Sequence, residues 1–163
     1  MIVSLIAAAA RNNTIGAGNA LPWEMPADMR YFMATTRGHH VIMGRTSFED
    51  IGKPLADRTN IIVSRQTAYH VEGAFVAGSL QNALRLAEER GETEAFIIGG
   101  ETIFTEGITH ADRIYLTRID ADFDGDTHFP FVDTIIWQEV RRTDNAPDAE
   151  NPYPYSFTVL ERR

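Results

Sequence analysis

The segment PADMRYF, residues 26–32, sets one acid, Asp28, inside the first turn of a helix opened by Pro26 and surrounds it with Met29, Tyr31 and Phe32. In such a helix Asp28, Phe32 and Thr35 lie four and seven residues apart and share one face, so the carboxyl stands beside an aromatic ring and a hydroxyl. Two kinds of chemistry suit that arrangement. A first-turn carboxylate is stabilised by the helix macrodipole, by roughly 0.3–1 kcal/mol, without any further role. Alternatively, Asp28 lies at the bottom of an apolar cleft, where burial raises its pKa and its two oxygens grip the paired N–H donors of a planar heterocycle. Trp23 sits just upstream, in a segment that Pro22 and Pro26 keep from being helical.

A second set of residues suits anions. GRTS at 44–47, SRQ at 64–66 and GGET at 99–102 each stand where a strand is expected to hand over to a helix. On a parallel sheet these junctions share one edge, where helix N-terminal N–H groups and hydroxyls receive phosphate oxygens, and Arg45 and Arg65 add fixed positive charge. The plainer reading is of tight turns and two solvated arginines, and neither GxGxxG nor a Walker A sequence is present. Three junctions and two arginines in a chain of net charge -8 favour an anionic nucleotide.

The elements that must position these groups are legible as alternating runs. IVSLIAAAA, VIMG, NIIVS, AFVAG and AFIIGG read as buried, parallel strands, and PADMRYFMATT, RTSFEDIG and SLQNALRLAEERG as helices. The third helix runs from an N-cap Ser79 to a C-cap Gly91 and carries Leu80, Ala83, Leu84 and Ala87 on one stripe. The alternation implies an α/β fold with a mostly parallel central sheet, helices on both faces, and ligands at the carboxyl ends of the strands. From DRIYLTRID onward the pattern changes to strands joined by turns, which predicts an antiparallel C-terminal edge, with TDNAPDAENPYP as an exposed hairpin loop.

The 163 residues are 44% hydrophobic and 23% charged, the composition of one globular domain spanning 1–163. No run is long and apolar enough to cross a bilayer and the start lacks a signal-peptide pattern, so a cytoplasmic location is expected. With no cysteine, disulfides, thiolate metal sites and cysteine nucleophiles are excluded. The five histidines, at 39, 40, 70, 110 and 128, show no recognisable metal-ligand spacing. The acidic balance argues against nucleic acid as a partner, and nothing demands more than a monomer.

In this order the chain contains IGAGNALPW, PADMRYF, VIMGRTSFEDIGKPLADR, IIGGETIF and DGDTHFP, and in these five motifs it resembles the bacterial dihydrofolate reductases over essentially its full length. The resemblance implies hydride transfer from NADPH to 7,8-dihydrofolate, protonation of the neighbouring pterin nitrogen, and inhibition by antifolates such as trimethoprim and methotrexate. It implies that Asp28 is the pocket acid, with Leu21 and Trp23 beside the reacting centre in the mobile loop. The substrate walls carry over as Ile6, Ala7, Ala8, Phe32, Ile51, Leu55, Ile98 and Phe104, with Thr117 supporting the acid and Arg58 pairing with the tail carboxylate.

The cofactor half falls on Ala8, Ile15, Gly16, Asn19, Ala20 and Leu21, on Gly44, Arg45, Thr46 and Ser47, on Val63, Ser64 and Arg65, and on Ile98, Gly99, Gly100, Glu101, Thr102, Ile103 and Phe104. The resemblance further implies a cis peptide between Gly99 and Gly100, a loop from Gly16 to Trp23 that closes over the nicotinamide, and a hydrogen bond to that loop from Asp126. Gly78 and Thr102 stand where relatives often carry basic residues, so preference for NADPH over NADH is expected to rest on Arg45 and Arg65. Leu21, Met29 and Phe48 replace a frequent Met, Leu and Trp at nearly constant apolar volume. Two other readings are a binding protein that kept the pocket without turnover, and a reductase of another heterocycle, against which Arg58 argues.

Overall fold

The continuous apolar run Ile2–Ala10 forms β1, a strand buried on both faces. Its Leu5 and Ala9 pack with one hydrophobic cluster and its Ile6 with another on the opposite side. The computed structural model describes residues 1–18 and 20–163. After β1 come β2 (Thr14–Gly16), α1 (Pro26–Thr36), β3 (His40–Gly44), α2 (Arg45–Ile51), β4 (Thr59–Val63) and β5 (Phe75–Ala77). The chain continues through α3 (Leu80–Glu89), β6 (Glu94–Gly99), α4 (Glu101–Gly107), β7 (Arg113–Ile119), β8 (Thr127–His128), β9 (Trp137–Asn145) and β10 (Tyr155–Arg162).

Eight strands form one sheet in the order β5-β4-β3-β6-β1-β7-β10-β9, and β2 pairs with β8 in a separate small ribbon. The helices divide between the two faces as the alternation predicts. Leu80, Ala83 and Ala87 of α3 and Ile103 and Phe104 of α4 join Leu5 and Ile97, while Phe32 of α1 and Phe48 of α2 join Ile6, Val41, Ile62 and Phe96. The expected bounds of α1 match the structure residue for residue.

Four local expectations are corrected. Strand β7 runs parallel to β1, with Ser4 opposite Arg113 and Ala10 opposite Ile119, so the antiparallel edge consists of β10 and β9 alone. A strand's own residues do not record its partner's direction; here α4 makes the crossover that returns the chain parallel. Ser64–Gln66 does not begin a helix: the chain turns into β5, and the next helix starts after Ser79, whose hydroxyl accepts the N–H of Asn82 at 3.1 Å. Arg90, not Gly91, caps the end of α3, and Gly91 follows in the left-handed region with φ of 84°. Within TDNAPDAENPYP, Thr143–Asn145 belong to β9, and Asn151 is buried rather than exposed.

Asn151 is buried because it performs a capping task. Met25, the residue before α1, contributes no side-chain cap, and the Oδ1 of Asn151 accepts the N–H of Ala27 at 3.0 Å instead. Asp148 in turn fixes Asn151, its Oδ1 accepting the backbone N–H at 2.8 Å and Nδ2 at 3.0 Å. The acid-bearing helix is therefore anchored by a loop from the far end of the chain. Among the described residues no helix is long and apolar enough to cross a membrane.

The opposite edge of the sheet is tied by Glu92. Its carboxylate accepts His39 Nδ1 at 2.7 Å, His40 Nδ1 at 2.6 Å and the backbone N–H groups of His40, Thr93 and Glu94 at 2.8, 3.0 and 3.1 Å. Arg90 Nε donates to His40 Nε2 at 3.1 Å, so the His40 proton lies on Nδ1 and points at Glu92. Burial opposes the charge on Glu92, but the bonds from His40, His39 and the backbone outweigh it and hold the carboxyl at about 2. A depressed carboxyl contributes stability that is fully present above the unfolded value of 4.5 and is lost as pH falls toward about 2. Glu92→Gln is expected to lower stability at pH 7 by about 1–2 kcal/mol after allowance for solvent screening, with the deficit vanishing near pH 2–3. Urea unfolding across pH 3–8 measures this; a deficit independent of pH would assign the effect to packing instead.

Candidate active site

At the carboxyl ends of the parallel strands a cleft of 920 Å³ opens. Three strand-to-helix turns reach its rim: Gly44 before α2, Gly100 before α4, and Gly78 with Ser79 before α3. Each brings the unpaired N–H groups of a helix start to one wall, an arrangement suited to phosphate oxygens. Thr46, Ser47, Ser64 and Thr102 add hydroxyls and Arg45 and Arg65 add charge. Arg45 Nη1 is held by Glu49 Oε1, one turn along α2, at 2.9 Å.

Beneath the cleft β3 and β6 change register between Ile42 and Met43, which leaves Met43 opposite Gly99. Gly99 has φ of 120°, and a Cβ built on it would stand 3.0 Å from the Phe104 ring. A Cβ on Gly100 would stand 3.0 Å from Ser47 Oγ. The peptide between the two glycines is cis, as the resemblance implies.

The acid pocket adjoins this groove. Thr117 on β7 lies opposite Ala8 on β1, and Ala8 lines the groove, so the surroundings of the acid meet the groove at Ala8. The Thr117 hydroxyl faces Asp28 and favours its ionised form. Burial of Asp28 raises its pKa above the ordinary value of 3.8, and the Thr117 hydroxyl offsets only part of that rise. Around it Tyr31 stacks on Phe157 with ring centres 4.1 Å apart, and Phe32, Leu55 and Ile98 pack on the cluster that contains Ile6. Trp23 is buried, its ring 5.4 Å from Phe123, and its Nε1 is the only buried side-chain polar atom among the described residues with no hydrogen-bond partner.

The segment that leads across the groove is rooted in the ribbon of β2 and β8. Asp126 N–H donates to Gly16 O at 3.0 Å, and Asp126 Oδ2 accepts Gly18 N–H at 3.2 Å. The fit is closest at Gly125: a Cβ there would meet Gly16 O at 2.3 Å and Thr14 Cγ2 at 2.4 Å. Beyond the ribbon, Ala20 and Leu21 line the groove and Leu21 is half exposed.

Of the residues expected at the cofactor, Ala8, Ile15, Gly16, Ala20, Leu21, Gly44–Ser47, Val63–Arg65 and Ile98–Phe104 all line the groove, together with Ala7 and Ile51. Asn19 lies outside the described residues. Ile6, Phe32, Leu55, Thr117 and Asp28 stand beyond the groove lining, in or beside the acid pocket. Arg58 turns to the chain itself: Nε donates to Thr36 Oγ1 at 2.9 Å, Nη1 to Ala56 O at 2.5 Å and Nη2 to Met33 O. Sequence reasoning did not assign Asp50, Ser79, Leu80, Glu106 or Thr127 to the groove. The N-cap signature of Ser79 was the one clue, and it lacked only the knowledge that β5 delivers it to the same edge.

The family model for dihydrofolate reductase matches residues 2–162. The chain is 48% identical over 163 residues to dihydrofolate reductase type 3 of Salmonella typhimurium, covering 100% of this chain and 99% of that one. It is 40% identical over 162 residues to dihydrofolate reductase of Bacillus subtilis (strain 168), covering 99% and 95%. Its fold superposes on a solved dihydrofolate reductase from Enterococcus faecalis, complexed with NADP(H) and RAB-propyl, with a TM-score of 0.93 at 32% identity, covering 99% and 96% of the two chains.

The close approach at Gly125 generates a test that needs no ligand. Gly125→Ala is expected to push β2 from β8, because backbone rather than a flexible side chain occupies the space. Amide hydrogen exchange at residues 14–18 should accelerate about tenfold or more while β1 and β6 keep their protection. Unchanged exchange in that segment would show that the ribbon absorbs a methyl group without opening.

Proposed function

The chain belongs to the dihydrofolate reductase family and reduces 7,8-dihydrofolate to tetrahydrofolate with NADPH, and we propose that Asp28 is the acid that binds the pterin and promotes its protonation. The observation that carries this is a buried carboxyl with a raised pKa beside Thr117, which lies opposite the groove-lining Ala8. NADPH supplies the hydride. The groove suits it, with three helix starts and two arginines for its phosphates and the apolar wall of Ala7, Ala8, Ile15 and Leu21 for the nicotinamide end.

Each remaining task falls to a group of the chain. Asp28 accepts the paired N–H donors of the pterin when ionised and keeps a proton available when neutral, while Thr117 fixes its orientation. Trp23 Nε1 is free to hold the water that relays a proton to the substrate nitrogen. The lid from Gly16 to Trp23, anchored through Asp126, excludes bulk water and keeps donor and acceptor carbons close. Leu21 covers the reacting centre from the lid, and Ile6, Phe32, Ile51, Leu55, Ile98 and Phe104 wall the substrate. Arg58, next to the end of α1, pairs with the tail carboxylate once one of its bonds to the chain is exchanged.

In this reading residues 1–163 act as one domain and a cytoplasmic monomer. Trimethoprim and methotrexate compete for the Asp28 pocket. A net charge of -8 supports the absence of a nucleic-acid partner.

Asp28→Asn is expected to lower turnover of dihydrofolate at pH 7 by about 10²–10⁴-fold, and the wild-type rate is expected to fall as pH rises through the alkaline range. The same substitution separates function from folding. Because the folded pKa of Asp28 lies above its ordinary 3.8, the wild type loses stability as pH rises past that value, whereas Asn carries no such cost. The variant is expected to melt at higher temperature than wild type at pH 8 and at nearly the same temperature below pH 4. Wild-type turnover by the variant would remove Asp28 from the mechanism, and tight binding of both ligands by the wild type without turnover would leave a binding protein.

Cofactor choice gives a second test. Replacing Arg45 and Arg65 by Gln is expected to raise KM for NADPH by about tenfold or more for each charge-assisted hydrogen bond removed, while leaving KM for NADH within about twofold. Equal effects on both cofactors would show that the two arginines do not read the 2'-phosphate.

A further inference from the structure

A second cavity, of 490 Å³, lies at the far end of the sheet, where β7, β10 and β9 meet the turn after β1. Its charged lining comprises Arg11, Arg118 and Arg142 with Asp120 and Asp144. Two of the three arginines have carboxylate partners. Arg11 meets Asp120 and Asp122, each at 3.2 Å, and Arg142 meets Asp144 at 2.9 Å and Glu139 at 3.5 Å.

Arg118 has none among the described residues. Its Nη1 donates to Asn13 Oδ1 at 2.5 Å and to Ala10 O at 3.4 Å, both neutral oxygens, and its Nε and Nη2 donate to no described residue. The residue is half-buried and its backbone is clamped between Ala9 of β1 and Ser156 of β10. A guanidinium held by neutral partners, partly desolvated and beside a second guanidinium, is an uncompensated charge; its burial and the nearby Arg142 both lower its pKa. The free Nε–H and Nη2–H lie along one edge and form the fork that matches an oxoanion in bidentate geometry.

We propose that this cavity binds one small oxoanion, with Arg118 as the residue that receives it in bidentate fashion and Arg142 as the second positive wall. Inorganic phosphate and a small carboxylate share the chemistry that the fork reads. The site is coupled to the lid. Asn13, which holds the Arg118 guanidinium, adopts φ of 66°, and its carbonyl accepts Phe129 N–H at 2.9 Å at the turn from which β2 departs. An anion that fixes Arg118 therefore stiffens the root of the lid from outside the active site.

The test uses the full chain saturated with NADPH, so that Arg45 and Arg65 are already engaged. Inorganic phosphate, and in a separate arm acetate, is titrated at constant ionic strength against chloride while the Arg118 Nε–H and Asn13 side-chain resonances are followed by NMR. Saturable shifts with a Kd on the order of 1–10 mM are expected, weakened at least tenfold in Arg118→Gln. Arg118→Lys, which keeps the charge and loses the fork, should weaken binding about threefold or more and decides the matter if the Gln variant does not fold. Saturation by phosphate alone identifies a phosphate site, and comparable saturation by acetate identifies a carboxylate site. Shifts that follow ionic strength without saturating, or that persist unchanged in both variants, would overturn the proposal.

Discussion

Everything at the functional edge depends on how closely Gly99 and Gly100, at the end of β6, are packed against α4 and α2. The register change after Ile42 sets Met43 against Gly99, and the chain then threads Gly99 and Gly100 between the Phe104 ring and Ser47 with no space for a side chain on either. That approach does two things at once. It sets the turns after β3 and β6 side by side on the rim of the groove, and it brings the starts of α2 and α4 to face the same space. A side chain at Gly99 would displace Phe104, a residue of the main core cluster, so the shape of the groove and the packing beneath it are one constraint.

The acid answers to a different balance. Its helix could stabilise an ionised first-turn carboxylate through the macrodipole, yet burial raises the Asp28 pKa and the Thr117 hydroxyl recovers only part of the loss. Local helix physics and tertiary burial thus pull in opposite directions, and burial wins. A carboxyl placed for stability alone would resemble Glu92, which gathers two imidazoles and three backbone N–H groups and is held at about 2. The two acids, at opposite edges of one sheet, show how the number of donors separates a structural carboxylate from a proton-handling one.

Much of this was legible in the residues, for identifiable reasons. Helix α1 was bounded correctly because Pro26 marks its start and because Asp28, Phe32 and Thr35 repeat at helical spacing. The buried strands were legible because continuous apolar runs permit little else. The ribbon of β2 and β8 was not recognised, since strands of 3 and 2 residues are too short to show alternation. The direction of β7, the burial of Asn151 and the inward turn of Arg58 were hidden for a common reason: each is decided by a partner far away in sequence. The groove was legible where glycine marked a turn, at Gly44 and Gly99, and less so at Ser79, where an ordinary N-cap gave no sign of which edge it would reach.

The cap that Asn151 places on α1 also has a meaning in time. Ala27 and Asn151 are 124 positions apart, and β1 pairs only with β6 and β7, which are themselves made much later than β1. At synthesis speeds of about 5–20 residues per second, the acid-bearing helix waits on the order of 6–25 s for the residue that caps it. Until β6 is made, the first part of that interval, the apolar run of β1 has no strand beside it, and the half-made chain presents to its surroundings a surface that the finished molecule buries. The nascent polypeptide is therefore dependent on shielding of β1, by chaperones or by its own collapse, until β6 and β7 emerge, and the acid-bearing helix gains its cap later still.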